Sequence, residues 1–206
     1  MLFRSREQGR YDEALAAQNR ALELKPSFNL ARFSRALLEL GDGQFGEGFC
    51  DYLARDVSGA LPGARHILPS DLAGRRVLLL PDQGLGDEVF FLRFAPALKR
   101  RGAHLIYSAS PALASLLARC GAVDEVVDRA ATVPPCDLTL SIGDLPYVLE
   151  IKAAQDLPRP LPLPASPEKS AVAAETLARC GPPPYVALTW RAGTRDWNAL
   201  LKAVPV

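Results

Sequence analysis

Residues Arg76–Pro81 (RVLLLP) run directly into Gln83-Gly84-Leu85-Gly86-Asp87, and a helical pattern begins at Glu88. An apolar run of this kind ending in paired glycines reads as a buried strand. It leads into a loop where the backbone must approach something closely. No other stretch constrains the fold as much, because a short continuous apolar strand followed at once by a helix is a unit of a parallel sheet. Asp87 stands at the mouth of that helix. It is suited either to cap the helix or to face a ligand bound above the sheet.

The same alternation continues along the chain. Candidate strands are Arg76–Leu80, Leu105–Ser108, Glu125–Val127, Leu138–Ser141 and Val186–Trp190. Helical stretches fall between them at Glu88–Arg101, Pro111–Cys120, about Leu145–Ile151 and Pro167–Cys180. The expected architecture is α/β, with a parallel, doubly wound, Rossmann-like sheet. Pro96 is expected to kink or split the first of these helices, and Gly102 and Gly121 follow basic helix ends as C-terminal caps. Leu157–Pro167 (LPRPLPLPASP) contains five prolines and no glycine. It reads as an extended spacer, either a surface linker or a connection toward a second domain.

The first 55 residues carry helical patterning and an internal echo. Gly9-Arg10-Tyr11-Asp12-Glu13-Ala14-Leu15 returns as Gly43-Gln44-Phe45-Gly46-Glu47-Gly48-Phe49, 34 residues later at each matched position. With Ala14, Ala21 and Pro26 in the first copy, this period resembles the tetratricopeptide repeat. Gly48 replaces Ala14 in the second copy, a weaker helix former by about 1 kcal/mol. One and a half repeats do not bury a core by themselves. Either repeats precede them or these helices pack on the next domain.

The composition is that of a globular protein, 49% hydrophobic and 23% charged. A net charge of +1 gives no electrostatic footprint for nucleic acid or for an anionic membrane. The start turns polar too soon for a signal peptide, and no apolar run approaches the roughly 20 residues that span a bilayer. A cytoplasmic location is the expectation. Cys50, Cys120, Cys136 and Cys180 are too widely spaced for a zinc site or a disulfide framework, so buried reduced thiols are expected. His66 and His104 stand alone and receive no role, with His104 read as a strand-end surface residue. The glycine loop is no P-loop, since no Lys-Ser/Thr pair follows. It also departs from the dinucleotide fingerprint at Val89, where glycine or alanine belongs. Its free amides at a helix N-terminus suit an anionic or hydroxyl-rich ligand.

From Leu80 to Leu117, LPDQGLGDEVFFLRFAPALKRRGAHLIYSASPALASLL resembles the N-terminal half of bacterial glycosyltransferases of the heptosyltransferase-like group, which have the GT-B architecture. It resembles more closely their tetratricopeptide-fused relatives, in which the first strand is followed by QGLGD, then Phe, Arg, Tyr or Phe, Ala-Pro and Leu. Phe45–Arg55 looks like the last repeat of those fusions, and Asp137–Pro146 (DLTLSIGDLP) like a later strand and loop. The likeness runs through the chain in order, is specific at residues 81–102 and is weak between 150 and 180. It implies that Asp87 is the general base on an acceptor hydroxyl. A sugar hydroxyl is a poor nucleophile, and a carboxylate in hydrogen-bond range takes its proton as the glycosidic bond forms. Gln83, Gly84 and Gly86 form the acceptor-side loop.

Val186–Arg195 (VALTWRAGTR) then looks like the opening strand and loop of a donor-binding domain. The resemblance implies that Thr194, Lys202, Arg191 and Arg195 hold the donor diphosphate, where cations and hydroxyls neutralise a leaving group. An ordinary cationic terminus is the alternative. Trp190 and Trp197 are placed to stack on a base, with buried strand packing the other reading of Trp190. The expected organisation is 1–56 helical repeats, 71–156 acceptor-side domain, 157–184 proline-rich connector and helix, and 185–206 the start of a truncated donor domain. Neither metal nor cofactor is expected, the nucleotide sugar being a substrate. The expected activity is sugar transfer from a nucleotide-diphosphate donor to a hydroxyl acceptor, absent in this fragment alone. The alternatives are a non-catalytic scaffold that binds a protein partner through its helical repeats, and a nucleotide-binding regulator without transfer.

Overall fold

In the computed structural model, residues 10–55, 68–129 and 134–188 are described. They divide into two compact units, one through Pro164 and one from Ala165.

The first unit opens with three helices: α1 (Tyr11–Leu24), α2 (Asn29–Gly41) and α3 (Phe45–Tyr52). Each packs on the next. On α3, Phe45, Gly48, Phe49 and Tyr52 recur at i, i+3, i+4 and i+7 and turn inward, while Glu47 and Cys50 face out. Gly48 is what lets α2 and α3 touch. A Cβ there would stand 2.8 Å from Leu40 Cγ and 3.0 Å from the Leu40 backbone nitrogen. The loss of helix propensity at this position is thus exchanged for a close crossing. Ala36, Phe49 and Tyr52 share one buried core with the strands that follow. The helices therefore pack on the α/β part, one of the two routes by which so short a segment can be buried.

Four parallel strands come next: β1 (Arg76–Leu80), β2 (His104–Ala109), β3 (Glu125–Asp128) and β4 (Leu138–Ser141). Their order is β3-β2-β1-β4, with Val77 level with Leu105 on one side and Leu138 on the other. The architecture is α/β and consistent with a Rossmann-like fold. Val77, Leu79, Leu105, Ile106 and Tyr107 are fully buried, as continuous apolar strands covered on both faces require. The chain winds outward from β1 to β3 and then returns to place β4 on the opposite side of β1. That reversal places the candidate crevice beyond the carboxyl ends of β1 and β4, the position at which open α/β sheets bind ligands.

The helix expected over 88–101 is three pieces: α4 (Leu85–Phe91), a 3-10 turn (Leu92–Phe94) and α5 (Ala95–Arg100). Pro96 lies in the first turn of α5, where its missing N–H matters least, so the split comes just before it. α6 (Pro111–Cys120) has its expected bounds. α7 (Leu145–Val148) is shorter than expected, because Glu150 takes a positive φ of 57° and ends it. Gly102 (φ 87°) and Gly121 (φ 66°) take the left-handed conformation that closes a helix. At Gly102 a Cβ would also stand 2.8 Å from Ala73 Cα.

Asp124 ties α5 to the start of β2. Its carboxylate lies 2.8 Å from Lys99 Nζ and accepts the Leu105 N–H at 2.8 Å. Burial opposes its charge, but the hydrogen bonds of Lys99 and Leu105 outweigh that and hold its pKa below the usual 3.8. A depressed carboxylate contributes stability that is present above its unfolded value and lost as pH falls through its folded value. Asp124→Asn is therefore expected to cost about 1 kcal/mol at pH 7, discounted for partial exposure. That deficit should fade below about pH 4, as the wild type loses the same contribution. Urea titrations at pH 7 and pH 3 read both effects.

The proline-rich stretch from Leu157 is extended, and it is strapped to the first unit rather than loose. Proline gives up its N–H but keeps its carbonyl. The Pro158 carbonyl accepts from Arg93 Nε at 2.8 Å, that of Pro164 accepts from Arg119 Nε at 3.4 Å, and Leu157 and Leu161 pack on the core. In the second unit α8 (Pro167–Arg179) is capped by Ser166, whose Oγ accepts the Lys169 N–H at 3.4 Å. No residue of α8 is buried. Val186–Leu188 form no strand and are exposed, and among the described residues no strand supplies ladder partners there. Trp190 lies outside the described residues.

All four cysteines are free thiols, but they are not buried as expected. Cys50 and Cys180 are exposed and Cys120 and Cys136 half-buried. Cys50 is turned out by the inward set Gly48, Phe49 and Tyr52 on α3, and Cys180 follows a helix with no buried face. His104 opens β2, and its Nε2 lies 2.6 Å from Glu125 Oε1 on β3. Among the described residues no helix is long and apolar enough to cross a membrane.

Candidate functional site

β1 delivers Pro81 and Asp82 to the mouth of the crevice, and the loop Gln83–Gly84 carries the chain into α4. Gln83, Leu85 and Gly86 are exposed, and Gly84 and Asp87 half-buried. Asp87 Oδ2 accepts the Gly84 N–H at 3.1 Å. This is one half of a capping box, since the N-cap glycine has no side chain to return the bond. The cap and the ligand-facing position at the crevice rim are thus compatible readings of one carboxylate. Gly84 is extended, with φ −136°. Among the described residues, no atom beyond its chain neighbours and its own helix backbone would come within 4 Å of a Cβ on Gly86. Neither glycine is required by a left-handed turn or a neighbouring segment, and the close approach expected at the loop does not involve other protein atoms at Gly86.

The next residue turns the opposite way. Glu88 is buried and accepts a hydrogen bond from the Tyr107 phenol on β2 at 2.6 Å. Burial, followed by the Glu88 carboxylate, pushes the Tyr107 pKa well above its ordinary value, so the phenol remains a donor. With Glu88 anchored inside, the first turn of α4 holds Asp87 at the rim.

The base of the crevice is filled by an ion cluster that sequence reasoning did not find. Arg55, three residues past the end of α3, has a side chain 1% exposed. Its Nη2 lies 2.7 Å from Asp82 Oδ2 and 2.7 Å from Asp144 Oδ1, and it donates to Ser141 Oγ at 3.1 Å. Nε donates to both Asp82 oxygens at 3.1 and 2.9 Å, and Nη1 donates to the Tyr52 carbonyl at 3.1 Å. Ser141 Oγ also donates to Asp82 Oδ2 at 3.3 Å. Burial works against the guanidinium charge, but the Asp82 and Asp144 carboxylates outweigh it and raise the Arg55 pKa. The guanidinium carbon lies 4.6 Å from the centre of the Tyr52 ring. That phenol is pushed up by burial and by the carboxylates of Asp82, Asp87 and Asp144, with Arg55 opposing. Gly143 passes so close that a Cβ there would stand 2.5 Å from Arg55 Nη2.

Two features could have drawn attention to this cluster. Asp82 sits inside the conspicuous loop, and Ser141-Ile142-Gly143-Asp144 repeats the strand-then-glycine pattern after β4. Nothing marks Arg55, whose partners are 27 and 86 residues away. The donor-side candidates Arg191, Thr194, Arg195 and Lys202, and Trp197, lie outside the described residues. Among the described residues no cluster of three or more metal-ligating side chains occurs. A separate cavity of about 350 Å³ is lined by Gly46, Phe49, Tyr147 and Lys152 among others. Among the described residues, none of the predicted site residues lines it.

No family model and no solved structure matches the chain. Protein FlbA of Caulobacter vibrioides is 29% identical to it over 187 residues, covering 79% of this chain. The chain spans 31% of the length of that curated relative.

Proposed function

We propose that this chain is the acceptor-side part of a two-domain glycosyltransferase that moves a sugar from a nucleotide-diphosphate donor to a hydroxyl acceptor. The helices α1–α3 are, in this reading, degenerate tetratricopeptide repeats fused to it. The observation that carries the proposal is the position of Asp87. It stands at the rim of the crevice at the β1/β4 reversal, beside open space over Gly86, in a loop that resembles the QGLGD loop of heptosyltransferase-like enzymes. There its carboxylate is suited to take the acceptor proton, while Glu88 and the Gly84 N–H fix its direction. Gln83 and the two glycines line the acceptor side. The donor diphosphate falls to Arg191, Thr194, Arg195 and Lys202 of the donor-binding part.

Asp87→Asn keeps a carbonyl oxygen for the Gly84 N–H and removes the base. In the protein carrying both domains, kcat for transfer is expected to fall about 10²–10⁴-fold, with thermal stability nearly unchanged. Full turnover in that variant would remove Asp87 from the chemistry.

A second reading is a non-catalytic scaffold that takes a protein partner through α1–α3. Its support is that Asp87 already has a structural duty as a cap. Partner capture with no nucleotide sugar bound by the whole protein would favour it.

A further inference from the structure

We propose that Arg55 is the positioning residue of the crevice, so that the helical segment is built into that site and is not a separable recognition module. One nitrogen, Nη2, reaches both walls of the crevice: Asp82 after β1 and Asp144 after β4, each at 2.7 Å. Nε holds Asp82 from a second direction, and Nη1 pins the side chain back to the end of α3 through the Tyr52 carbonyl. A planar fork with donors in fixed directions sets both the spacing and the orientation of the two loops, which a lysine's single ammonium does not. Tyr52 adds a further hold. Its ring lies 5.5 Å from that of Phe91 at the far end of α4, the helix that opens with Asp87 at its rim. The end of α3 therefore fixes the loop before α4, α4 itself and the turn after β4.

Stability alone is a poor account of such a cluster. Well-packed apolar residues of similar volume commonly serve as well or better in a buried site. What an ionic fork adds is a defined geometry for the groups it joins. A displacement of α3, for instance by something bound to the helices, would then be felt at Gln83, Gly84 and Asp87. The catalytic consequence rests on the glycosyltransferase reading, whereas the positioning role does not.

Arg55→Lys separates the two. Native-state amide hydrogen exchange is followed at Gly84, whose N–H is held by Asp87, and at Leu145, whose N–H is held by the Ile142 carbonyl. Exchange at these two amides is expected to accelerate at least tenfold more than in the β1–β2 ladder. Equal acceleration everywhere would reduce Arg55 to a contributor to global stability, and no acceleration at either amide would equally overturn the proposal. If the lysine variant does not fold, Asp144→Asn, which keeps an acceptor for Arg55, should show the same local pattern at Leu145. In the protein carrying both domains, Arg55→Lys is further expected to lower kcat at least tenfold with donor KM within twofold. A wild type without turnover would strike the proposed function and leave exchange to decide on Arg55.

Discussion

Arg55→Met is expected to destabilise the first unit by about 3–5 kcal/mol, the range for removing one partner of a buried ion pair. The side chains of Asp82 and Asp144 are 0% and 9% exposed, so neither carboxylate can recover its lost partner from bulk water. Methionine matches the length of the arginine stem and leaves little cavity, which isolates the electrostatic part of the loss. Urea unfolding should show a lower midpoint with an unchanged slope. One accompanying effect identifies the cause. Adding Asp82→Leu and Asp144→Leu should return much of the stability, because an apolar triad leaves no charge unpaired.

Gly143→Ala is expected to cost about 3 kcal/mol or more, a large effect for one methyl group. The backbone of the turn after β4 runs against the ion cluster. A Cβ on Gly143 would overlap Asp82 Oδ2 and stand 2.7 Å from Asp82 Cγ and 2.5 Å from Arg55 Nη2. Those groups cannot swing aside, because the Asp82 carboxylate and Arg55 Nη2 are already held by hydrogen bonds within the cluster. Gly46→Ala is the control. A Cβ there meets only Lys152 side-chain carbons, at 3.8 and 4.0 Å, and the helix α3 gains up to about 1 kcal/mol of propensity. Thermal unfolding of the two variants should move in opposite directions. If Gly143→Ala unfolds like wild type, the ion cluster is not packed against this turn.

Much of the sheet was legible because its signals are local. Arg76–Leu80 is a short apolar run and Leu138–Ser141 (LTLS) a short alternating one, and both strands have the expected bounds. The helix over 88–101 was legible only as a helical region. Whether Pro96 kinks a helix or begins a new one depends on how Phe91, Leu92 and Phe94 are buried, and that is set by tertiary packing. Gly48 looked like a weakened repeat. Its reason is the approach of Leu40, which is eight residues away in sequence but in contact in space. Cys50 was assigned to the core by residue type, and helix phase placed it outside.

The candidate site divides in the same manner. The loop Gln83–Asp87 announces itself through its glycines and its place after a strand. The cluster beneath it does not, because an arginine near a helix end ordinarily reads as a solvated C-terminal cation. Only the folding of residues 55, 82, 141 and 144 onto one another makes it a buried fork. The sequence suits Asp87 both to cap α4 and to act as a base, and the bond to Gly84 establishes the cap.

The most direct test is a turnover measurement. The protein carrying both domains is incubated with a panel of nucleotide-diphosphate sugars and hydroxyl acceptors, and release of nucleoside diphosphate is followed. Release is expected from at least one donor, dependent on the acceptor and nearly abolished in Asp87→Asn. A protein that neither turns over nor binds any of these donors would contradict it.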